Sequence, residues 1–117
     1  MNAAERLASV AIDSIRDKKG SDIVRLDLRK INNAICDFFI ICNGESSVQN
    51  QAIADHIIHS VKGSLKERVW HVEGYENAGW ILLDYTDVVI HIFSNSNRDF
   101  YKLEELWADA KLDRLNY

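Results

Sequence analysis

The stretch Gly79–Phe93 constrains this chain most. It reads Gly79-Trp80-Ile81-Leu82-Leu83-Asp84-Tyr85, then a polar Thr86-Asp87, then Val88-Val89-Ile90-His91-Ile92-Phe93. Two runs rich in β-branched and aromatic residues around a short polar turn predict a hairpin. Neither run alternates cleanly, so both faces of both strands carry apolar groups. That pattern belongs to strands covered on two sides, and the rest of the chain has to supply the cover.

Asn2 is placed to cap a helix running through Lys19, with Leu7, Ala11 and Ile15 in one row and Ala4, Ala8 and Ile12 beside them. Lys18 and Lys19 suit the negative end of the helix dipole, and Gly20 ends the helix. Ile23–Leu28 alternates, with Val24, Leu26 and Leu28 on one face and Arg25 and Asp27 on the other. It reads as a half-exposed edge strand. After a polar connection, Phe38–Asn43 reads as a central strand. Gly44-Glu45-Ser46-Ser47 turns into a second helix, Ser47–Lys62, with Ser46 or Ser47 as its cap, Ile53, Ile57 and Val61 as its stripe and Gly63 as its stop. Glu67–Val72 reads as a short strand. Ser94–Asn97 caps a last helix whose buried stripe is Phe100, Leu103, Trp107 and Ala110.

This order predicts a mixed α/β fold, a mixed five-stranded sheet flanked by three helices. Three such helices cover at most about one and a half faces of the sheet, given how far apart packed helices sit. Some apolar strand surface is therefore expected to be left for a partner.

A chain of 117 residues suffices for one domain that folds without disulfides. That domain is expected over residues 1–110, with 111–117 as a short C-terminal tail. There is no apolar run of the ~18 residues a membrane helix needs. Glu5, Arg6 and Asp13 interrupt the N-terminal apolar residues, which argues against a signal or transit peptide and for a cytoplasmic location. The net charge of −4 offers no basic footprint for nucleic acid. Joining a nucleoprotein particle would go more readily through a basic protein than through bare phosphate. Cys36 and Cys42 read as buried reduced thiols on one strand face, about 20 Å apart and too far to bridge.

Little in the chain points to catalysis. Gly44-Glu45-Ser46-Ser47 stands between a strand and a helix, where backbone N–H groups can hold an anion, but no Gly-Lys-Ser/Thr follows and helix capping explains the residues. His56 and His59 stand near one another on a helix as metal ligands do, yet lie opposite the apolar stripe with nothing placed to complete a shell. His91 reads as a partly buried strand histidine. Metal-dependent phosphoryl or nucleotidyl transfer wants two carboxylates at i and i+2 of one strand, and the chain has no such pair. Asp84 and Asp87 bracket a turn, and no nucleophile elbow is present. No catalytic residue, cofactor or metal is expected. Trp80, by contrast, shares a strand face with Leu82 and Asp84. An aromatic, an aliphatic and a charge on one face fit a protein-binding patch, and Tyr85 beside the turn adds an amphipathic anchor.

The runs Asp37–Ser47, Ala52–Ile57, Glu73-Gly74, Trp80–Phe93 and Arg98–Trp107, in this order, resemble the ribosomal silencing factor family, also called Iojap-related proteins. The likeness extends from the first helix to about Trp107. It implies a nucleotidyltransferase-like α/β fold without the transferase carboxylates. It also implies binding to large-subunit ribosomal protein fourteen on the subunit-joining face, obstruction of small-subunit docking and repression of translation when nutrients are scarce. Family members are also homodimers. The family's partner-contacting tryptophan matches Trp80, with Leu82, Asp84 and Tyr85 as its neighbours. Many relatives have Gly where this chain has Thr86, which puts the shape of the hairpin turn in question. Two other readings stand beside this one. One is a nucleotidyl or phosphoryl transferase using the Gly44-Ser46-Ser47 turn, which the missing carboxylates disfavour. The other is a homodimeric adaptor that spends its open sheet face on self-association.

Overall fold

Asn2 opens the first helix, α1 (Ala3–Asp17), with a reciprocal cap. Its side chain accepts from the Glu5 N–H at 2.8 Å, and the Glu5 carboxylate accepts from the Asn2 N–H at 3.1 Å. Leu7, Ala8, Ala11, Ile12 and Ile15 are buried, as the helical spacing predicts. The computed structural model describes residues 1–94 and the strand at 111–115, with side chains for Arg114 and Leu115 in the latter.

After α1 come β1 (Ser21–Asp27), β2 (Phe38–Gly44), α2 (Ser47–Leu65), β3 (His71–Glu73), β4 (Trp80–Asp84), β5 (Val88–Ser94) and β6 (Lys111–Leu115). Among the described residues the strands form one mixed six-stranded sheet in the order β3-β4-β5-β2-β1-β6. β2 and β5 run parallel in the middle, from Phe38↔Val88 to Gly44↔Ser94, and the other pairings are antiparallel.

The sheet has one strand more than expected, and the extra strand lies in the expected tail. Because β6 pairs with β1 from Asp27↔Lys111 to Ile23↔Leu115, β1 is an inner strand and not an edge. α2 also runs past Gly63. Glycine lowers helix propensity without breaking the backbone ladder, and the helix ends only where Lys66 adopts a left-handed φ of 59°. A Cβ at position 63 would meet nothing within 4 Å. Gly63→Ala is therefore expected to stabilise the protein by about 0.8–1 kcal/mol through propensity alone. A rise in the urea midpoint at unchanged slope is the check. β3 is shorter than expected and begins at His71, because its partner β4 ends at Asp84 and the chain there bends into the hairpin turn. The expected last helix and its stripe lie outside the described residues.

Both faces of the sheet centre are buried. Ile40, Ile81, Leu83, Ile90 and Ile92 pack under α1 and α2 with Ile53 and Ile57. On the opposite face Val24, Leu26, Leu28, Phe39, Ile41, Val89 and Phe93 form a second cluster, with Trp80 and Leu82 partly buried at its border. Val88 to Phe93 of β5 are buried throughout, as their unbroken apolar run requires. Cys42 belongs to the first cluster and Cys36 to the second, so the two do not share a face. The reason is local: Cys36 precedes the strand, which starts at Phe38. Burial pushes the Cys36 thiol up to about 12, which leaves it protonated and unreactive.

Candidate protein-binding site

β4 alternates. Ile81 and Leu83 are fully buried against the helices, while Trp80, Leu82 and Asp84 are half-buried on the other face. The structure thus brings three of the four residues singled out from the sequence onto one strand face. Tyr85 does not join them. The chain turns there, and Tyr85 packs into the helix-side cluster at 7% exposure, its phenol pushed up to about 12 by burial and by the nearby Glu67 carboxylate. It is a core residue, and the expectation of a surface anchor is corrected.

Trp80 is held on two sides. Its ring stacks on Phe93, its cross-strand neighbour, with centroids 5.1 Å apart and planes 25° from parallel. Its indole N–H donates to Nδ1 of His91 at 3.1 Å. His91 lies opposite Leu82, is 4% exposed and meets the Phe39 ring edge-on at 4.9 Å. Since Nδ1 accepts, the imidazole is the neutral tautomer with its proton on Nε2. Burial lowers its pKa from 6.5 to about 4. His91 is more deeply buried than its sequence suggests and serves to orient Trp80. A tryptophan fixed this way loses little freedom when a partner covers it.

The loop before β4 adds to this. Gly74 has φ +75°, and a Cβ there would lie 2.1 Å from the Trp80 carbonyl oxygen. Only glycine lets the loop pass so close beneath the backbone of Trp80. At the other end of β4, Asp84 Oδ1 accepts from the Thr86 N–H at 2.7 Å. This side-chain turn holds Thr86 at φ 77°, the left-handed backbone that glycine adopts freely. The hairpin therefore keeps a left-handed residue at that position even though it is a threonine. The second Asp84 oxygen makes no hydrogen bond with a described residue.

Two residues extend the site beyond what the sequence suggested. Ile35 and Trp70 are 74% and 73% exposed. With Asp84, Thr86 and Val89 they line a shallow hollow of about 380 Å³. Trp70 is tied there by its N–H, which donates to the Asp84 carbonyl at 2.8 Å. Trp70 thus adds exposed aromatic surface at the Asp84 end of β4, with Trp80 half-exposed at the other end of the strand.

The other candidates resolve into structural roles. In the 44–47 turn, Ser46 Oγ accepts from the Gln49 N–H, Gln49 Oε1 accepts from the Glu45 N–H and the Ser46 carbonyl accepts from the Asn50 N–H. Two of the backbone N–H groups that could hold an anion, those of Glu45 and Gln49, are thus spent on the cap. A Cβ at Gly44 would lie 1.9 Å from Asn50 Oδ1, so that glycine makes room for a buried asparagine. His56 pairs with Asp17 at 3.1 Å. Among the described residues no group of three or more His, Cys, Asp or Glu is arranged to hold a metal ion.

Residues 1–116 match the family described as "Ribosomal silencing factor during starvation". A ribosomal silencing factor from Halalkalibacterium halodurans is 42% identical over 106 residues, covering 91% of this chain and 89% of its own. A crystal structure of a Chromobacterium violaceum protein superposes with a TM-score of 0.85 at 31% identity, covering 92% of this chain and 88% of that one. A more distant mouse protein, named for mitochondrial assembly of the large ribosomal subunit, is 30% identical over 80 residues, 66% of this chain and 35% of its own. The chain belongs to the ribosomal silencing factor family.

Proposed function

We propose that this protein represses translation by binding the large ribosomal subunit through the Trp80, Leu82 and Asp84 face and blocking the approach of the small subunit. The observation that carries this reading is Trp80 itself, half-exposed yet fixed by Phe93 and His91, with exposed Trp70 and Ile35 around Asp84 at the other end of β4. Hot spots of protein interfaces are enriched in such aromatic anchors. The relatives' names supply the rest: silencing factors, and a protein that assembles the large subunit.

The docking partner in this reading is large-subunit ribosomal protein fourteen on the subunit-joining face. Asp84, with one oxygen committed to the turn, offers the other to a cation of that protein. A chain of net charge −4 meeting a basic ribosomal protein has the right sign for fast encounter. The mechanism is steric exclusion, with no bond made or broken, so the protein is not an enzyme. In bacteria it acts in the cytoplasm, where free subunits are found. The same apolar face suits a second copy of the chain, and such a homodimer would compete with ribosome binding.

The test is subunit joining. Light scattering from mixed large and small subunits should rise more slowly, and to a lower plateau, as the protein is added. An unchanged trace at saturating protein would refute the reading.

A further inference from the structure

The net charge of −4 conceals a concentrated positive region. His59, Lys62, Gly63, Lys66 and Arg68 line a hollow of about 500 Å³ at the end of α2. His59, Lys62 and Lys66 follow one another at helical spacing and so lie in one row. Lys66 is the left-handed C-cap of α2, and the reversal it makes returns Arg68 to the same hollow. All four side chains are exposed. Several cations elsewhere on the described surface are matched: Arg16 with Asp13, Arg29 with Asp27 and Glu5, His56 with Asp17, His71 with Glu73. Lys62, Lys66 and Arg68 have no such partner among the described residues.

The helix dipole accounts for a cation in the last turn of α2, but not for Arg68 beyond it. Nor does it account for Gly63, a helix-interior glycine that no neighbour requires, since the space its side chain would fill is empty. What its bareness does is leave the floor of the hollow open between Lys62 and Lys66. Among the described residues the hollow is lined by cations, a histidine and a glycine, with no apolar side chain of the kind that peptide recognition uses for anchoring. Cβ atoms four apart on a helix are separated by about 5–6 Å, comparable to the spacing of successive phosphates on a nucleic-acid strand.

We infer that this hollow takes the phosphodiester backbone of RNA, through Lys62, Lys66 and Arg68, without reading its sequence. On the large subunit it supplies a second contact, made by an element on the opposite side of the sheet from Trp80, and in that role it rests on the function proposed above. Two contacts on one particle reinforce each other, because the first raises the effective concentration of the second.

The test uses the full chain and a triple variant, Lys62→Ala with Lys66→Ala and Arg68→Ala, its fold checked by thermal melting. Cosedimentation with purified large subunits is measured across a salt series. Each lost phosphate contact removes about 0.7–0.9 from the slope of log K against log salt, so three remove about 2 to 3. The variant should show that flattening, whereas Trp80→Ala should weaken binding at every salt concentration and leave the slope alone. Equal slopes for wild type and triple variant would overturn the inference. A second arm needs no ribosome: anisotropy of labelled RNA extracted from large subunits, at low salt. Wild type should bind it, and the triple variant and Gly63→Glu should bind at least tenfold more weakly. Labelled polyglutamate bound as tightly as the RNA would reassign the hollow to an acidic peptide. If wild type fails to sediment with subunits yet binds the RNA, the proposed function falls and the hollow's assignment stands; no binding in either arm overturns both.

Discussion

Trp80→Ala should weaken binding to the large subunit by about 30-fold or more, the consequence of losing an interface anchor worth on the order of 2 kcal/mol. The reason lies in how the residue is built in. A surface tryptophan free to swing would lose conformational freedom on binding. This one is already seated on Phe93 and tied to His91, so most of its contact area is gained without that cost. The substitution also removes the donor facing His91 Nδ1 and leaves a buried acceptor without a partner, which costs about 1–3 kcal/mol of stability. Denaturation curves measured alongside separate the two effects. Trp80→Phe sharpens the separation, because it keeps the stack with Phe93 and loses only the hydrogen bond. Asp84→Arg should weaken binding comparably, since it sets a cation against a basic partner. A folded Trp80→Ala protein that sediments with large subunits as the wild type does would remove Trp80 from the interface.

The second large effect is on stability against pH. His91 titrates near 4 in the folded chain and near its ordinary 6.5 once unfolded. As pH falls through 6.5 the unfolded chain takes up this proton first, so stability is full above 6.5 and is lost progressively down to about 4. The gap corresponds to about 3 kcal/mol, a large part of the stability of a domain this size. Asp27 has the opposite chemistry. Its hydrogen bonds to Arg29 hold its pKa at about 2, below the usual 3.8, so its contribution is present above 3.8 and disappears only below it. Of these two groups, His91 is the one that accounts for a loss between 6.5 and 4. Urea unfolding at pH 7, 5.5 and 4 should show the fall, and His91→Gln, whose amide oxygen can still accept from the Trp80 indole, should flatten it. Parallel falls in the two proteins would exclude His91 as the source. Protonation also abolishes the acceptor for Trp80, and in the folded chain it takes place near pH 4, so the Trp80 contribution to subunit binding should persist through 5.5 and weaken only as pH approaches 4.

Much of the fold can be read from periodicity, and the failures have physical causes. The cap at Asn2 and the stripes of both described helices follow from spacing alone. β6 was invisible because Lys111-Leu112-Asp113-Arg114-Leu115 is too charged and too irregular to signal a strand, and only its pairing with β1 makes it one. Gly63 misled because a glycine ends a helix only where the backbone turns left-handed, and here Lys66 does that instead. At the site, strand alternation placed Trp80, Leu82 and Asp84 together. It could not place Tyr85, which sits where the alternation ends. Trp70 and Ile35 come from separate loops, and only the pairing of β3 with β4 brings Trp70 beside Asp84. The cationic hollow was hidden by summing charge over the chain, since a sum says nothing of where charges gather.

The pairing of β1 with β6 also dictates an order of assembly. A strand formed early in synthesis waits for one made far later before its second ladder can close. Until then β1 presents an open row of backbone donors and acceptors, the feature that draws nascent chains into wrong pairings. Sheets built from such distant segments also fold slowly. While it is being made, this regulator of ribosomes leaves its own sheet incomplete until residues 111–115 have emerged from the ribosome that is translating it.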